Sequence, residues 1–191
     1  MTDQERPVLI EGRRIRTPRL LLRPWVVDDA EAALAVFGDE QVSRWLAPAV
    51  SRVPDVETMR EQLARWAAER VELPLGHWAL EVVESGRMAG GVALLPLPPD
   101  NIDLEIGWQL APGAWGQGFA AEAGHAVARY AFESGVDEIF AVVRPRNERG
   151  AATARRVGME WVGETEKYYG LALQVYRLRK GELGLAEITD R

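Results

Sequence analysis

Apolar residues recur at two spacings along the chain, and the change from one to the other marks out its elements. Leu20 and Leu22, flanked by Arg19 and Arg23, alternate as a strand that Pro24 stops. Asp28 then predicts an N-cap for an alanine-rich helix over 29–37, ended by Gly38. A short amphipathic piece over 41–46 precedes Pro48. Pro54 opens a second long helix, in which Val56, Met59, Leu63, Trp66 and Ala67 recur three or four apart down to about Val71. After Pro74 the period falls to two. Trp78, Leu80 and Val82 alternate with Ala79, Glu81 and Val83, and Glu84-Ser85-Gly86-Arg87 turns the chain into a second strand over 88–95. Beyond a loop over 96–101, Ile102, Leu104, Ile106, Trp108 and Leu110 alternate strictly with Asp103, Glu105, Gly107 and Gln109. A glycine-rich turn then opens a helix to about Ser134, ended by Gly135. A β-branched strand over 139–143 follows, then a helix capped by Asn147 that stops at Gly158. Strands over 161–169 and 171–179 flank a turn at Gly170.

Composition narrows what such a chain can be. Its 191 residues, 47% hydrophobic and 27% charged, suit one self-folding domain. We place that domain at 15–180, after a polar lead-in over 1–14 and before a tail over 181–191. The absence of cysteine excludes a disulfide scaffold, a thiolate metal site and a cysteine nucleophile. No apolar run is long enough to span a bilayer, and the polar start lacks the pattern of an export signal, so a cytoplasmic protein without membrane association is expected. The net charge of −6 argues against nucleic-acid partners and favours a cationic substrate. His77 and His125 lack metal-ligand spacing, so no metal is expected, and no Gly-x-Ser-x-Gly elbow signals a hydrolase.

The glycine-rich turn carries the strongest chemical signal. Gly116 and Gly118 have no Cβ, so the backbone can turn sharply and approach a ligand, while the first amides of the following helix converge on one spot suited to phosphate. Three anion-binding motifs compete for this pattern. A P-loop needs Gly-Lys-Ser/Thr, and here Phe119 and Ala120 follow Gly118. Gly116, Gly118 and Ala121 meet the spacing of a dinucleotide fingerprint, which keeps a dinucleotide-dependent oxidoreductase as an alternative. Against it, Pro112-Gly113-Ala114 intervene after the strand, and the next strand delivers Arg144 instead of an acid.

The third is a resemblance running from Arg19 to about Leu178. Thr17-Pro18-Arg19-Leu20-Leu21-Leu22-Arg23-Pro24, Glu105-Ile106-Gly107-Trp108, Trp115-Gly116-Gln117-Gly118-Phe119-Ala120-Ala121-Glu122, Tyr130-Ala131-Phe132, and Asn147 spaced from Gly158-Met159 resemble, in order and interval, segments of the GNAT superfamily of acetyl-CoA-dependent N-acyltransferases. The nearest branch is that of the ribosomal-protein N-terminal alanine acetyltransferases. The resemblance implies an α/β (α+β) fold with a mixed, mainly antiparallel sheet of six to seven strands, flanked by helices and splayed between two central strands. It also implies acetyl-CoA as co-substrate. Backbone groups of Trp108, Gln109 and Leu110 would hold its pantetheine arm, and Trp115, Gly116, Gln117, Gly118, Phe119 and Ala120 its pyrophosphate.

Residues for the chemistry follow from what amide formation needs. Five arginines and one acid lie between Arg144 and Arg156, and Arg149 and Arg155 are the candidates for the 3′-phosphate. Asn147 is a candidate for pantetheine. Glu105, mid-strand near the expected thioester, is the candidate base, directly or through water, and would also hold the ammonium. The amide near Leu110 is the candidate oxyanion donor. Gly150 and Ala154 stand where relatives carry serine and tyrosine, which leaves Tyr168, Tyr169 or solvent as proton donor and keeps a non-catalytic acyl-CoA-binding module in play. Trp45 and Trp78 are candidate walls for an amine, either a small molecule or a protein N-terminus. A homodimer is expected only from the general frequency of dimers.

Overall fold

A computed structural model describes residues 8–46, 50–69 and 72–184. Nine strands form one sheet in the order β1-β2-β3-β4-β5-β6-β7-β9-β8. These are β1 (Leu9–Glu11), β2 (Arg14–Arg16), β3 (Leu20–Pro24), β4 (Gly76–Val82), β5 (Met88–Pro96), β6 (Leu104–Leu110), β7 (Glu138–Val143), β8 (Glu160–Thr165) and β9 (Leu173–Arg179). The helices are α1 (Ala30–Phe37), α2 (Glu40–Ser43), α3 (Val56–Ala68), α4 (Phe119–Glu133) and α5 (Glu148–Val157). The count exceeds the expected six to seven because β1 and the start of β2 fall within the stretch read as a lead-in. At three residues each, they are too short for alternation to register.

Neighbouring strands pair antiparallel except β6 and β7, which run parallel. The glycine-rich turn does sit in a βαβ unit, β6–α4–β7, but β6 and β7 are bridged at one position only and β6 is antiparallel to β5, so the mixed sheet lacks the run of parallel strands on which a dinucleotide fold is built. Alternation sends Trp78, Leu80, Val92, Leu94 and Ile106 to one face, where they pack with Ala123, Val127 and Ala131 of α4 and Val157 of α5. Gly124 of α4 lets the helix come close: a Cβ there would lie 2.7 Å from Val157 Cγ2. Ala79 turns to the opposite face, in a second core with Trp25, which follows β3, with Ala33, Val36 and Phe37 of α1, and with Met59 and Leu63 of α3. The sheet is thus sandwiched between α1–α3 and α4–α5.

Three local readings are corrected. The residue at the N-cap of α1 is Asp29, not Asp28, because Val27–Asp29 form a separate short turn before the helix, and Asp29 makes no capping bond, since its carboxylate accepts from the Val26 amide (3.0 Å) and from Arg23 Nη1 and Nη2 (2.7 and 2.9 Å). Strand β6 starts at Leu104, leaving Ile102 77% exposed outside it. Strand β8 ends at Thr165, so 166–172 is a loop that crosses back towards β6.

Candidate active site

Strands β6 and β7 are bridged at one position, Glu105 opposite Phe140, and then diverge. On its other edge β6 stays paired to β5 as far as Leu110 opposite Gly90. The bond from the Ala111 amide to Ala89 O (3.0 Å) marks the odd-numbered residues of β6 as those bonded to β5. By the alternation of an antiparallel ladder, the backbone groups of Trp108 and Leu110 therefore turn towards the gap, whereas those of Gln109 turn towards β5. Gln109 offers the cavity its side chain. The carbonyl of Leu110 is already taken by Trp115 Nε1 (2.9 Å), which leaves its amide as the donor facing the opening.

A cavity of about 550 Å³ occupies this divergence. Its wall includes consecutive residues of β6 (105–110) and of β7 (141–143), which point to both faces of the sheet. Only a gap between the strands can expose both sets to one space. The cavity therefore passes through the sheet, from the α4–α5 side to the α1–α3 side.

On the first side lies the glycine-rich turn. Gly116 and Gly118 adopt φ of 76° and 77°, the left-handed region that favours glycine. A Cβ at Gly116 would meet nothing within 4 Å, so its conformation and not crowding selects glycine there. The first helical bond of α4 runs from the Glu122 amide to Gly118 O (3.1 Å), so the amides of Phe119, Ala120 and Ala121 precede the ladder and gather at the cavity with the positive end of the helix dipole. Thr17 and Arg19 brace this turn. Thr17 Oγ1 donates to Glu122 Oε1 (2.6 Å), Arg19 Nε donates to Glu122 Oε2 (2.6 Å), and Arg19 Nη1 donates to Gln117 O (2.8 Å). Gln117 Nε2 donates back to Gly113 O (3.1 Å) and its residue is not part of the cavity wall. The supporting role of Thr17 and Arg19 was hidden in the sequence, since a partner about a hundred residues away leaves no local signal.

Helix α5 presents Arg149, Ala152, Thr153 and Arg156 to the cavity, an i, i+3, i+4, i+7 stripe. Arg149 stacks 4.0 Å from the Trp115 ring centroid, which holds its guanidinium beside the turn. Arg155, the other expected phosphate candidate, falls off the stripe: its Nη2 lies 3.3 Å from Tyr176 Oη, away from the cavity. Arg156 takes its place. Asn147 lines the cavity and caps α5, its Oδ1 accepting from the Gly150 amide (3.1 Å). A Cβ at Gly150 would lie 2.7 Å from Asn147 Nδ2 and 3.1 Å from Val143 Cγ1, so glycine here accommodates the cap. Ala154 is fully buried in the core beneath α5, a place without room for a tyrosine.

Glu105 projects to the α1–α3 side, at the point where the strands begin to part. Burial pushes its carboxyl up to about 7, and the hydrogen bond that Tyr169 Oη donates to Oε2 (2.7 Å) works in the opposite direction. Burial first, then the neighbouring Glu105 charge, holds the Tyr169 phenol well above its ordinary range, so it stays a donor. Tyr168, the other tyrosine expected as a donor, lies elsewhere. Its ring packs with Leu97, Leu173 and Val175, its hydroxyl donates to Asp103 Oδ2 (2.6 Å), and it is absent from the cavity wall. With two adjacent tyrosines in a loop, sequence alone could not say which one turns inward.

Of the two tryptophans expected beside the acceptor, Trp45 lines the cavity and Trp78 does not. Trp78 is 1% exposed in the main core, with Nε1 donating to Arg13 O (2.8 Å). Its neighbour His77 takes the opposite face, lines the cavity and stacks on Trp66 with centroids 4.3 Å apart. Burial lowers His77 to about 4, so its imidazole is neutral near neutral pH. Trp25, Phe37 and Trp66 also line the cavity, although the helical period marked Trp66 only as core.

Among the described residues no group of His, Asp or Glu has the arrangement of a metal site, and no helix is long and apolar enough to cross a membrane. The cradle of amides and the exposed edge of β6 fit a diphosphate followed by an amide-bearing arm.

Comparison with known proteins agrees with this geometry. YoaA of Bacillus subtilis, described as an uncharacterized N-acetyltransferase, is 28% identical over 155 residues, covering 81% of this chain and 86% of its own. The protein p20 of Bacillus licheniformis, described in the same words, is 26% identical over 164 residues, 84% and 91% of the two chains. Among solved structures, an acetyltransferase from Agrobacterium tumefaciens superposes with a TM-score of 0.69 at 25% identity, covering 92% of this chain and 99% of that one. Mycobacterium smegmatis RimJ, solved in complex with CoA-disulfide, superposes at 0.71 with 20% identity, covering 86% and 84%. The family model described as acetyltransferase (GNAT) domain matches residues 19–160, and the chain belongs to that family.

Proposed function

We propose that the protein is an acetyl-CoA-dependent N-acetyltransferase that passes the acetyl group directly to a primary amine. Membership of the family implies the acetyl-CoA. The observation that carries the direct transfer is the position of Glu105, at the opening through which the two halves of the cavity communicate. The amides of Phe119 to Ala121, with Arg149 and Arg156, serve as anion donors for the coenzyme phosphates, and the edge of β6 at Trp108 and Leu110 serves as the pairing strand for the arm. Glu105 takes a proton from the acceptor nitrogen, directly or through water, and the Leu110 amide faces the place where carbonyl charge grows. Overall one N–H and one C–S bond break, and one C–N and one S–H bond form. Coenzyme A supplies the thioester, and the protein supplies orientation, a base and a dry path.

The testing experiment is thiol release from acetyl-CoA with a panel of primary amines, paired with thermal shift by acetyl-CoA. Binding without release from any amine would favour a non-catalytic acyl-CoA module. Two variants sharpen the reading. Tyr169→Phe removes the hydrogen bond that favours the carboxylate, so the acid limb of kcat/KM moves to higher pH. An unmoved limb would detach Tyr169 from the base. Arg149→Ala is expected to weaken acetyl-CoA about tenfold at low salt, with Arg149→Lys restoring only part, since the planar group stacked on Trp115 is lost. Titration calorimetry reads both.

A further inference from the structure

The acceptor half of the cavity has a chemistry that the overall charge of the chain conceals. Its wall is aromatic and already assembled: Trp25 meets Phe37 edge-on (6.2 Å, 65°), Phe37 meets Trp66 (5.3 Å, 69°), and Trp66 lies flat on His77 (4.3 Å, 14°). Trp45, Leu46 and Val50 also line it. Such interlocked rings are held before a ligand arrives, so a flat or branched apolar body would bind with little ordering cost. The net charge of −6 is not found here. Among the described residues, the carboxylates on the whole cavity wall are Glu105 and Glu148, against Arg144, Arg149 and Arg156. Glu148 opens α5, on the coenzyme side. A polyamine or an aminoglycoside would bring several ammonium groups to a cup with one carboxylate. A peptide N-terminus would bring several peptide groups to a wall whose rings outnumber its neutral polar side chains, Gln41, His77 and Gln109.

We propose that the acceptor is a monoamine carrying an aromatic or branched apolar body, seated with its ring among Trp25, Phe37, Trp45 and Trp66 and its nitrogen at Glu105. The inference rests on the transferase reading above and adds the substrate class. The nitrogen lone pair attacks the thioester carbonyl carbon, the displaced N–H proton goes to Glu105, the C–S bond breaks with its electron pair on sulfur, and the departing thiolate takes up the proton that Glu105 releases through solvent to give coenzyme A thiol.

The test measures thiol release by the full chain with acetyl-CoA and phenethylamine, tryptamine, ethylamine, spermidine or an alanine-led peptide. Phenethylamine or tryptamine should exceed the other three in kcat/KM by about tenfold or more. Preference for spermidine, ethylamine or the peptide overturns the substrate class and leaves acetyl transfer standing. If no amine releases thiol, acetyl transfer falls, and quenching of tryptophan fluorescence by phenethylamine decides the pocket. Saturable quenching supports an arylalkylamine site, and its absence overturns the site. Trp66→Ala should raise the KM for tryptamine about tenfold with a smaller change in kcat, and Trp66→Phe should recover most of it. The half-buried Trp45→Ala reads the same effect at a position outside the core. A fall in kcat alone in both alanine variants overturns the seating of the ring.

Discussion

Gly118→Asp is expected to lower affinity for acetyl-CoA by about a hundredfold or more while the chain still folds. Gly118 has φ of 77° at the start of α4, and aspartate tolerates that left-handed region better than most residues, at a cost of about 1–2 kcal/mol. Space is available, since a Cβ there would meet only Arg19 Nη2 at 3.4 Å, the end of a flexible side chain. The new carboxylate would stand beside that guanidinium and the first-turn amides. Donors now open to a ligand would thereby gain an acceptor within the chain, and a diphosphate would meet a negative charge. Losing one charge-assisted hydrogen bond costs about 1.5–3 kcal/mol, and repulsion adds to it, which gives the two decades. Calorimetry with acetyl-CoA measures the loss, and melting without ligand checks folding. Gly118→Ala carries at least as much backbone strain without the charge and should lose far less. Equal affinity in wild type and Gly118→Asp would remove the turn from the anion site.

The parts of this arrangement that were legible in the sequence are those encoded locally. Alternation from Leu104 to Leu110, the left-handed glycines and the cap Asn147 each depend on residues a few positions apart, and they located the turn, the strand before it and the helix after it. Whatever depends on partners distant in sequence was less legible. Tyr168 and Tyr169 have the same side chain in adjacent positions, and only the course of the 166–172 loop brings the second to Glu105 and the first to Asp103. Trp78 and His77 divide between the faces of β4 by alternation, yet naming the face that carries the cavity required knowing where α1 and α3 pack. Arg155 and Arg156 are similar neighbours that one step of 100° around α5 separates into a contact with Tyr176 and a place on the cavity wall. The acidic total says little about the site for a related reason: a sum over the chain carries no information about where the charges collect.

Glu105→Gln is expected to lower kcat about 10²- to 10³-fold while making the protein more stable above neutral pH. The carboxylate form is the base, and with a pKa of about 7 in the folded protein its share grows as pH rises from about 6 to about 8. Wild-type kcat/KM should therefore climb over that window, on top of the deprotonation of the amine itself. The glutamine variant should lack the Glu105 limb. Stability runs the other way. The folded value lies above the usual 4.5, so between these values the folded state holds a proton that the unfolded state has released. The contribution of Glu105 to stability is thus fully present below about pH 4.5, declines as pH rises, and is gone above about 7, where the folded chain must bury a charge beside Tyr169. Glutamine cannot ionise and escapes this loss. Its melting temperature should exceed that of the wild type at about pH 8, and the advantage should vanish at about pH 4. A residue that merely braced the fold would destabilise the protein when replaced, so slower turnover together with a higher melting temperature marks a group kept for chemistry. Unaltered turnover, or a variant less stable at about pH 8, would take Glu105 out of the reaction.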